Sequence, residues 1–485
     1  MKNILNYAVV IIFLWISTGY TAFSQIKYTD DSKSVNVAIV HYELDLNIDY
    51  SAEKIIGKAG LTLQNISDKP IKKISLLLYR LLSVESVGNA TVEPLEFEQK
   101  VVSFDDVEKM QVNYIQIELD SDLLPEEKRL LNIEYKGHML GYSEMGYRYV
   151  KDHVSPEFTI IRNDARAFPL PGVPSRKINR QAPFPSFTYL ARITVPDTLV
   201  VANGGELLQR KADNGSITYI YKSLKPSWRM DFAITRYKQS EKNGIRIFYF
   251  PEDSVGASGV MQAAQKSYDL FKSWFGSPEV ESTLTFIEIP NGWGSQKDAV
   301  TIIQSAAAFK DPKRHREVYH EISHIWNVNP LDNPSPRWNE GLASFLEYLA
   351  IEHIEGREIT KARADLLIRW LKESAKQNPK WTEIPMIDYG QVQLTDLSYS
   401  VGALMFDLLY RLVGQKEFNA IIGFFYHKYA SAGATTNDFI AYANETSKFD
   451  LTDFFQDWVY TTNWYKRISE VQSISELESY YRETN

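Results

Sequence analysis

HEISH, residues 320–324, places two histidines four positions apart, with a glutamate directly after the first. On an α-helix this spacing puts His320 and His324 on one face, one turn apart. Two imidazole nitrogens so arranged can meet a single zinc ion at about 2.0–2.1 Å each. Glu321 then points toward the open side of the metal, placed to take a proton from a water there. The surrounding REVYHEISHIWNV (316–328) is apolar at Val318, Ile322 and Ile325, which predicts a half-buried helix. Three of the chain's eight histidines fall within ten residues; His315, outside the pattern, reads as a surface residue.

Zinc held for catalysis needs a third protein ligand and one free position. SPRWNEGLASFLEY (335–348) supplies Glu340, in the early turns of a helix entered near Pro336. Glu347 lies two turns further on the same face. It can accept a hydrogen bond from the outer nitrogen of a ligand histidine, or it can stand in solvent.

The rest of the chain sets the frame. Its 485 residues suit two or three domains, and 44% hydrophobic and 13% aromatic content can fill large cores. With 53 basic against 61 acidic residues the net charge is −8, and the basic residues are scattered, which excludes a nucleic-acid footprint. The densest basic group, Arg176, Lys177 and Arg180, reads as a solvated loop. There is no cysteine, so neither disulfides nor lipoprotein acylation apply.

Residues 1–25 differ from the remainder. Lys2 precedes the apolar run YAVVIIFLWIS (7–17), and in TAFSQ (21–25) Ala22 and Ser24 fit the −3 and −1 positions of a signal-peptidase site. The run is short for a membrane span. The expectation is an exported protein, periplasmic or extracellular, with no stable span after signal removal; uncleaved, the segment is an anchor.

From about residue 35 to 240 the pattern has period two. HYELDLNIDY (41–50) alternates Tyr42, Leu44, Leu46 and Ile48 with acidic and amide residues. The Pro- and Arg-rich stretch 162–186 reads as a long ordered loop. After residue 240 the period changes. SVGASGVMQAAQKSYDLFKSWFG (254–276) reads as a helix ending at Gly276. STLTFIEIP (282–290) and AVTIIQSAAAF (299–309) read as strands, and from Lys313 onward the chain is mostly helical. The predicted organisation is a signal peptide (1–25), an antiparallel β-rich domain (26–240) and an α+β domain (241–485).

HEISH followed by NEGLA (339–343) resembles the gluzincin metallopeptidases, most closely the membrane alanyl aminopeptidase (aminopeptidase N, peptidase family M1) family. That family carries HExxH and then a zinc-binding glutamate in an NEGFA-like segment. YSVGA (399–403) is similar to the family's YxKGA-like segment, which holds its catalytic tyrosine. Weaker similarity covers HYELDLNID (41–49), DARAFP (164–169) and residues 434–464. The resemblance implies a β saddle or sandwich domain followed by a thermolysin-like catalytic domain. It implies one zinc per chain on His320, His324 and Glu340, with Glu321 as general base and Tyr399 stabilising the oxyanion. It implies a peptide or protein substrate.

Four departures accompany it. The linker between His324 and Glu340 is shorter than the family's. Val401 stands where the family has lysine. The GAMEN segment, whose glutamate binds the substrate α-amine, has no good counterpart: NGWGSQ (291–296) puts Ser295 there, and Thr159 or Ile161 falls at the second amine-binding position. The family's helical C-terminal domain is not represented. An aminopeptidase and an open-cleft endopeptidase therefore both remain open. So do a non-catalytic peptide-binding protein with a structural zinc, and a hydrolase of another electrophile. Trp293 reads either as pocket wall or as core. The oligomeric state is not legible.

Overall fold

The computed structural model describes residues 34–107, 109–141, 149–182, 185–279 and 283–484. The export signal read at 1–25 lies outside the described residues. No helix among the described residues is long and apolar enough to cross a membrane.

The period-two pattern folds as strands. In Val37–Asp49, Tyr42, Leu44, Leu46 and Ile48 are buried while Glu43, Asp45 and Asn47 are exposed. This strand pairs antiparallel with Lys54–Asn65 and parallel with Thr188–Pro196, in the middle of a seven-stranded sheet. A four-stranded sheet, ordered Phe97–Ser103, Gln111–Leu123, Ile71–Leu78, Leu170–Pro171, presents Ile115 and Ile117 to the same apolar cluster as Leu44, Leu61 and Ile133. Burial of each such side chain stabilises the fold by about 1.5–3 kcal/mol. A three-stranded sheet sets Asp231–Thr235 between Val200–Ala202 and Thr159–Arg162.

The stretch read as a long loop is more ordered than its composition suggests. It contains the short strand Leu170–Pro171 and the helix Arg176–Gln181. The Asp106 carboxylate accepts hydrogen bonds from the backbone N–H groups of Arg176 and Lys177 at 2.8 and 2.6 Å. A charge on the first free N–H groups starts the helix there. Arg176 and Arg180 are half-buried rather than freely solvated.

In the second half a five-stranded mixed sheet runs Lys238–Lys242, Ile245–Tyr249, Leu284–Ile289, Thr301–Ser305, Gln296–Lys297. Leu284–Ile289 is buried at every position and pairs parallel on both sides, hence its unbroken apolar pattern. The segment read as one strand over 299–309 stops at Ser305 and turns into the helix Ala307–Lys310. The helix Ser254–Phe275 ends at Gly276, whose φ of 87° is easily reached without a Cβ. Helices Trp338–Glu355, Thr360–Gln377, Gln415–Tyr429 and Ile474–Thr484 pack against Ser398–Val413, which buries Val401, Leu404, Met405, Leu408 and Leu409. The architecture is α+β, with β sheets first and a helical lobe after them.

Candidate metal centre

Three helices build the site. The first, His315–Ser323, buries Val318, Tyr319 and Ile322, so its opposite face can carry His320. Its last turn tightens into a 3-10 turn, His324–Trp326, pinned by Trp326, whose Nε1 donates to the Gly276 carbonyl at 2.9 Å. The second, Trp338–Glu355, carries Glu340 in its first turn. The third, Ser398–Val413, carries Tyr399 at its start.

The second and third helices cross at two glycines, one from each recognised segment. A Cβ on Gly341 would lie 2.5 Å from Cα of Gly402 and 2.7 Å from the Ser398 carbonyl oxygen. This close approach sets Glu340 beside Tyr399. The shortened linker enters the second helix through Arg337, left-handed at φ 58°. The Ser398 hydroxyl donates to the Arg337 carbonyl at 2.9 Å, and the Arg337 guanidinium donates to Glu340 at 2.5 Å.

Among the described residues, His320, His324 and Glu340 form the one cluster with metal-ligand spacing. Nε2 of His320 and Nε2 of His324 each lie 3.4 Å from the same Glu340 oxygen. Tetrahedral ligands at zinc distances are separated by about 3.3 Å, so both of these separations fit a shared zinc ion. Burial works against a charged His320, yet hydrogen bonds to Glu340 and Glu347 push its pKa up to about 10. Burial would raise the Glu340 carboxyl; His324, His320 and Arg337 hold it well below the usual range instead. Carboxylates that favour a proton on an imidazole also favour a divalent cation in its place.

Both rings are held from behind. Glu347 is 7% exposed, with one oxygen 3.2 Å from Nδ1 of His320 and the other 2.8 Å from Arg316. It is thus buried beside His320 rather than standing in solvent. The Asn327 amide lies 2.6 Å from Nδ1 of His324; the sequence reading passed over it because side-chain amides are common in loops. His315 is half-buried against Gly259, and burial lowers its pKa. It is therefore not the free surface group expected.

Glu321 is 8% exposed. Burial raises its pKa, against the opposing pull of His320 and His324. The Tyr399 ring lies parallel to His320, centroids 6.2 Å apart, and its phenol pKa is raised by burial and by Glu340.

The short edge strand Gln296–Lys297 pairs with Thr301–Ser305, and Lys297 approaches the site from it. Burial pushes the Lys297 ammonium down to about 8, against the attraction of Asp298 and Glu321. A lysine near the metal cluster was not anticipated, since a lone lysine in a turn carries no spacing signal. Ser295 lines the cavity beside the cluster. Thr159 and Ile161 are wholly buried. Trp293 is core: it is 7% exposed and packs edge-on against Phe158, centroids 5.1 Å apart. Two buried arginines from the β-rich half hold the segment. Arg162 pairs with Asp152 at 2.7 Å and donates to the Trp293 carbonyl at 3.1 Å; Arg229 donates to Gln296.

Residues 297–458 match the Peptidase family M1 domain. Human glutamyl aminopeptidase is 22% identical over 71% of this chain and 39% of its own length. Aminopeptidase M1-B of Oryza sativa subsp. japonica is 26% identical over 45% of the chain and 27% of its own. The chain thus spans well under half the length of these relatives. The crystal structure of an M1 zinc metallopeptidase from Deinococcus radiodurans superposes with a TM-score of 0.65 at 17% identity, covering 87% of this chain and 94% of that one.

Proposed function

We propose that this chain, with its M1 peptidase domain and gluzincin-type fold and site, is a zinc-dependent metallopeptidase that hydrolyses peptide bonds. The observation carrying this reading is the pair of 3.4 Å separations that bring both imidazoles onto one Glu340 oxygen. Zinc, when bound, supplies Lewis acidity and lowers the pKa of water toward neutrality. The chain's own residues do the rest. Glu321, its basicity raised by burial, takes the proton. Tyr399 donates a hydrogen bond to the substrate oxygen on which negative charge develops. Glu347 and Asn327 fix the rings, and Arg337 holds Glu340.

Aminopeptidase activity is the first form of this reading, supported by the names of the curated relatives. The second form, internal cleavage in an open cleft, is favoured by the residues at the two amine-binding positions, Ser295 and Thr159 or Ile161, none of which carries a carboxylate to hold a substrate ammonium group. Matched peptides with free and N-acetylated termini, assayed with and without a zinc chelator, decide between them. Chelator-sensitive cleavage is expected; a strong preference for the free amine gives the aminopeptidase, and equal rates give the endopeptidase. Absence of cleavage across a broad peptide library would overturn both and leave a peptide-binding protein.

Two further elements of the reading rest on sequence. One is export, with removal of residues 1–25, which N-terminal sequencing of the mature protein tests. The other is the division into a β-rich unit (26–240) and a catalytic unit (241–485).

A further inference from the structure

We propose that the cavity beside the metal cluster is a substrate subsite for a carboxylate, with Arg363 as its anion-binding group. The proposal rests on the peptidase reading of the same site. The cavity, about 320 Å³, is lined by His320, Glu321 and Tyr399 together with residues of the helices Trp338–Glu355 and Thr360–Gln377. Its size lies at the lower end of the range for small-ligand sites.

The charges on its wall are matched, with one exception beyond Glu321. Glu347 is taken by Arg316 at 2.8 Å, Asp407 by Arg411 at 2.5 Å, and Glu317 by Arg314. Arg363 has no ion pair among the described residues. Its Nε is buried without a hydrogen-bond acceptor. Its guanidinium lies over the Tyr348 ring at 5.0 Å, and Arg316 approaches the same ring at 6.0 Å. Arg316 is engaged by Glu347 and donates to the Tyr348 hydroxyl at 3.2 Å, whereas Arg363 is held against the face of the same ring with no carboxylate paired to it among the described residues.

A buried guanidinium donor without an acceptor is satisfied by a planar anion, and a carboxylate matches the Arg fork. Phe345 and Leu367, on the same wall, would cover the methylene groups of an incoming side chain. The carboxylate can come from an acidic substrate side chain or from the peptide's own C-terminus, and the test separates these sources.

Calorimetry on zinc-loaded Glu321→Gln protein measures binding without turnover. Amidated tetrapeptides with Glu or Gln scanned along the chain are compared with Gln peptides bearing a free C-terminus. At one position Glu is expected to bind at least about tenfold tighter than Gln, as charge-assisted bonds allow. A gain from the free C-terminus instead would assign the terminal carboxylate. In either case the gain disappears in Arg363→Met and partly survives in Arg363→Lys, with zinc content unchanged in both. Equal binding of charged and neutral peptides, or an undiminished gain in Arg363→Met, overturns the proposal. If wild-type protein cleaves no peptide, the peptidase reading fails, while the binding comparison still decides whether the anion site exists.

Discussion

Glu347 stands between His320 and Arg316, with one oxygen 3.2 Å from the ring Nδ1 and the other 2.8 Å from the guanidinium. This arrangement keeps the proton on Nδ1 and leaves Nε2 free for a metal. Glu347→Gln should therefore weaken zinc binding by roughly 10–100-fold while leaving the fold intact. Competition with a chromophoric chelator measures this directly. Unchanged affinity would make Glu347 a partner of Arg316 alone.

Gly341 and Gly402 let two helices touch backbone to backbone. Gly341→Ala would place a methyl group 2.5 Å from Cα of Gly402. The backbone cannot yield as a flexible side chain can, so a stability loss of about 1–3 kcal/mol is expected. Because Glu340 and Tyr399 ride on these helices, turnover should fall further than stability alone explains. Urea denaturation and kcat, measured on the same preparation, test both parts.

Tyr399 is expected to act on the developing charge rather than on substrate binding. Tyr399→Phe should lower kcat by about 10²–10³-fold with KM little changed, as for loss of one oxyanion donor. An equal loss through KM would make the phenol a binding group.

Asp407 gives a pH signature. Burial pushes its carboxyl up to about 6, with Arg411 opposing, against about 3.9 when unfolded. Between these values the folded state binds the proton more tightly than the unfolded chain. Its contribution is thus present below about pH 4 and is lost as pH rises toward 6. Measured by chemical denaturation, the stability of wild type relative to Asp407→Asn should decline by an amount on the order of 2 kcal/mol between pH 4 and 7. A flat difference would show that Arg411 compensates fully.

Much of the architecture was legible because its signals are periodic. The alternation in 41–50, the helix stop at Gly276 and the one-turn spacing of His320 and His324 each follow from local geometry. What stayed hidden depends on distant partners. The ordering of 162–186 comes from Asp106, which caps the Arg176–Gln181 helix from about 70 positions away. Helix formation at Ala307–Lys310 ended a strand that apolar content alone would have continued. NEGLA points to Glu340 as a candidate, but the reason for the glycine after it lies in the crossing with Gly402, which no local pattern announces. Lys297 and Asn327 had no pattern to announce them, because their proximity to the cluster is a property of the folded chain.

Metal content and turnover measured together on wild type and Glu321→Gln test the account most directly. One zinc per chain in both proteins, with peptide hydrolysis in the wild type and loss of nearly all of it in the variant, is the predicted result. Purified wild type that takes up no zinc, or a Glu321→Gln protein that hydrolyses peptides at the wild-type rate, would contradict it.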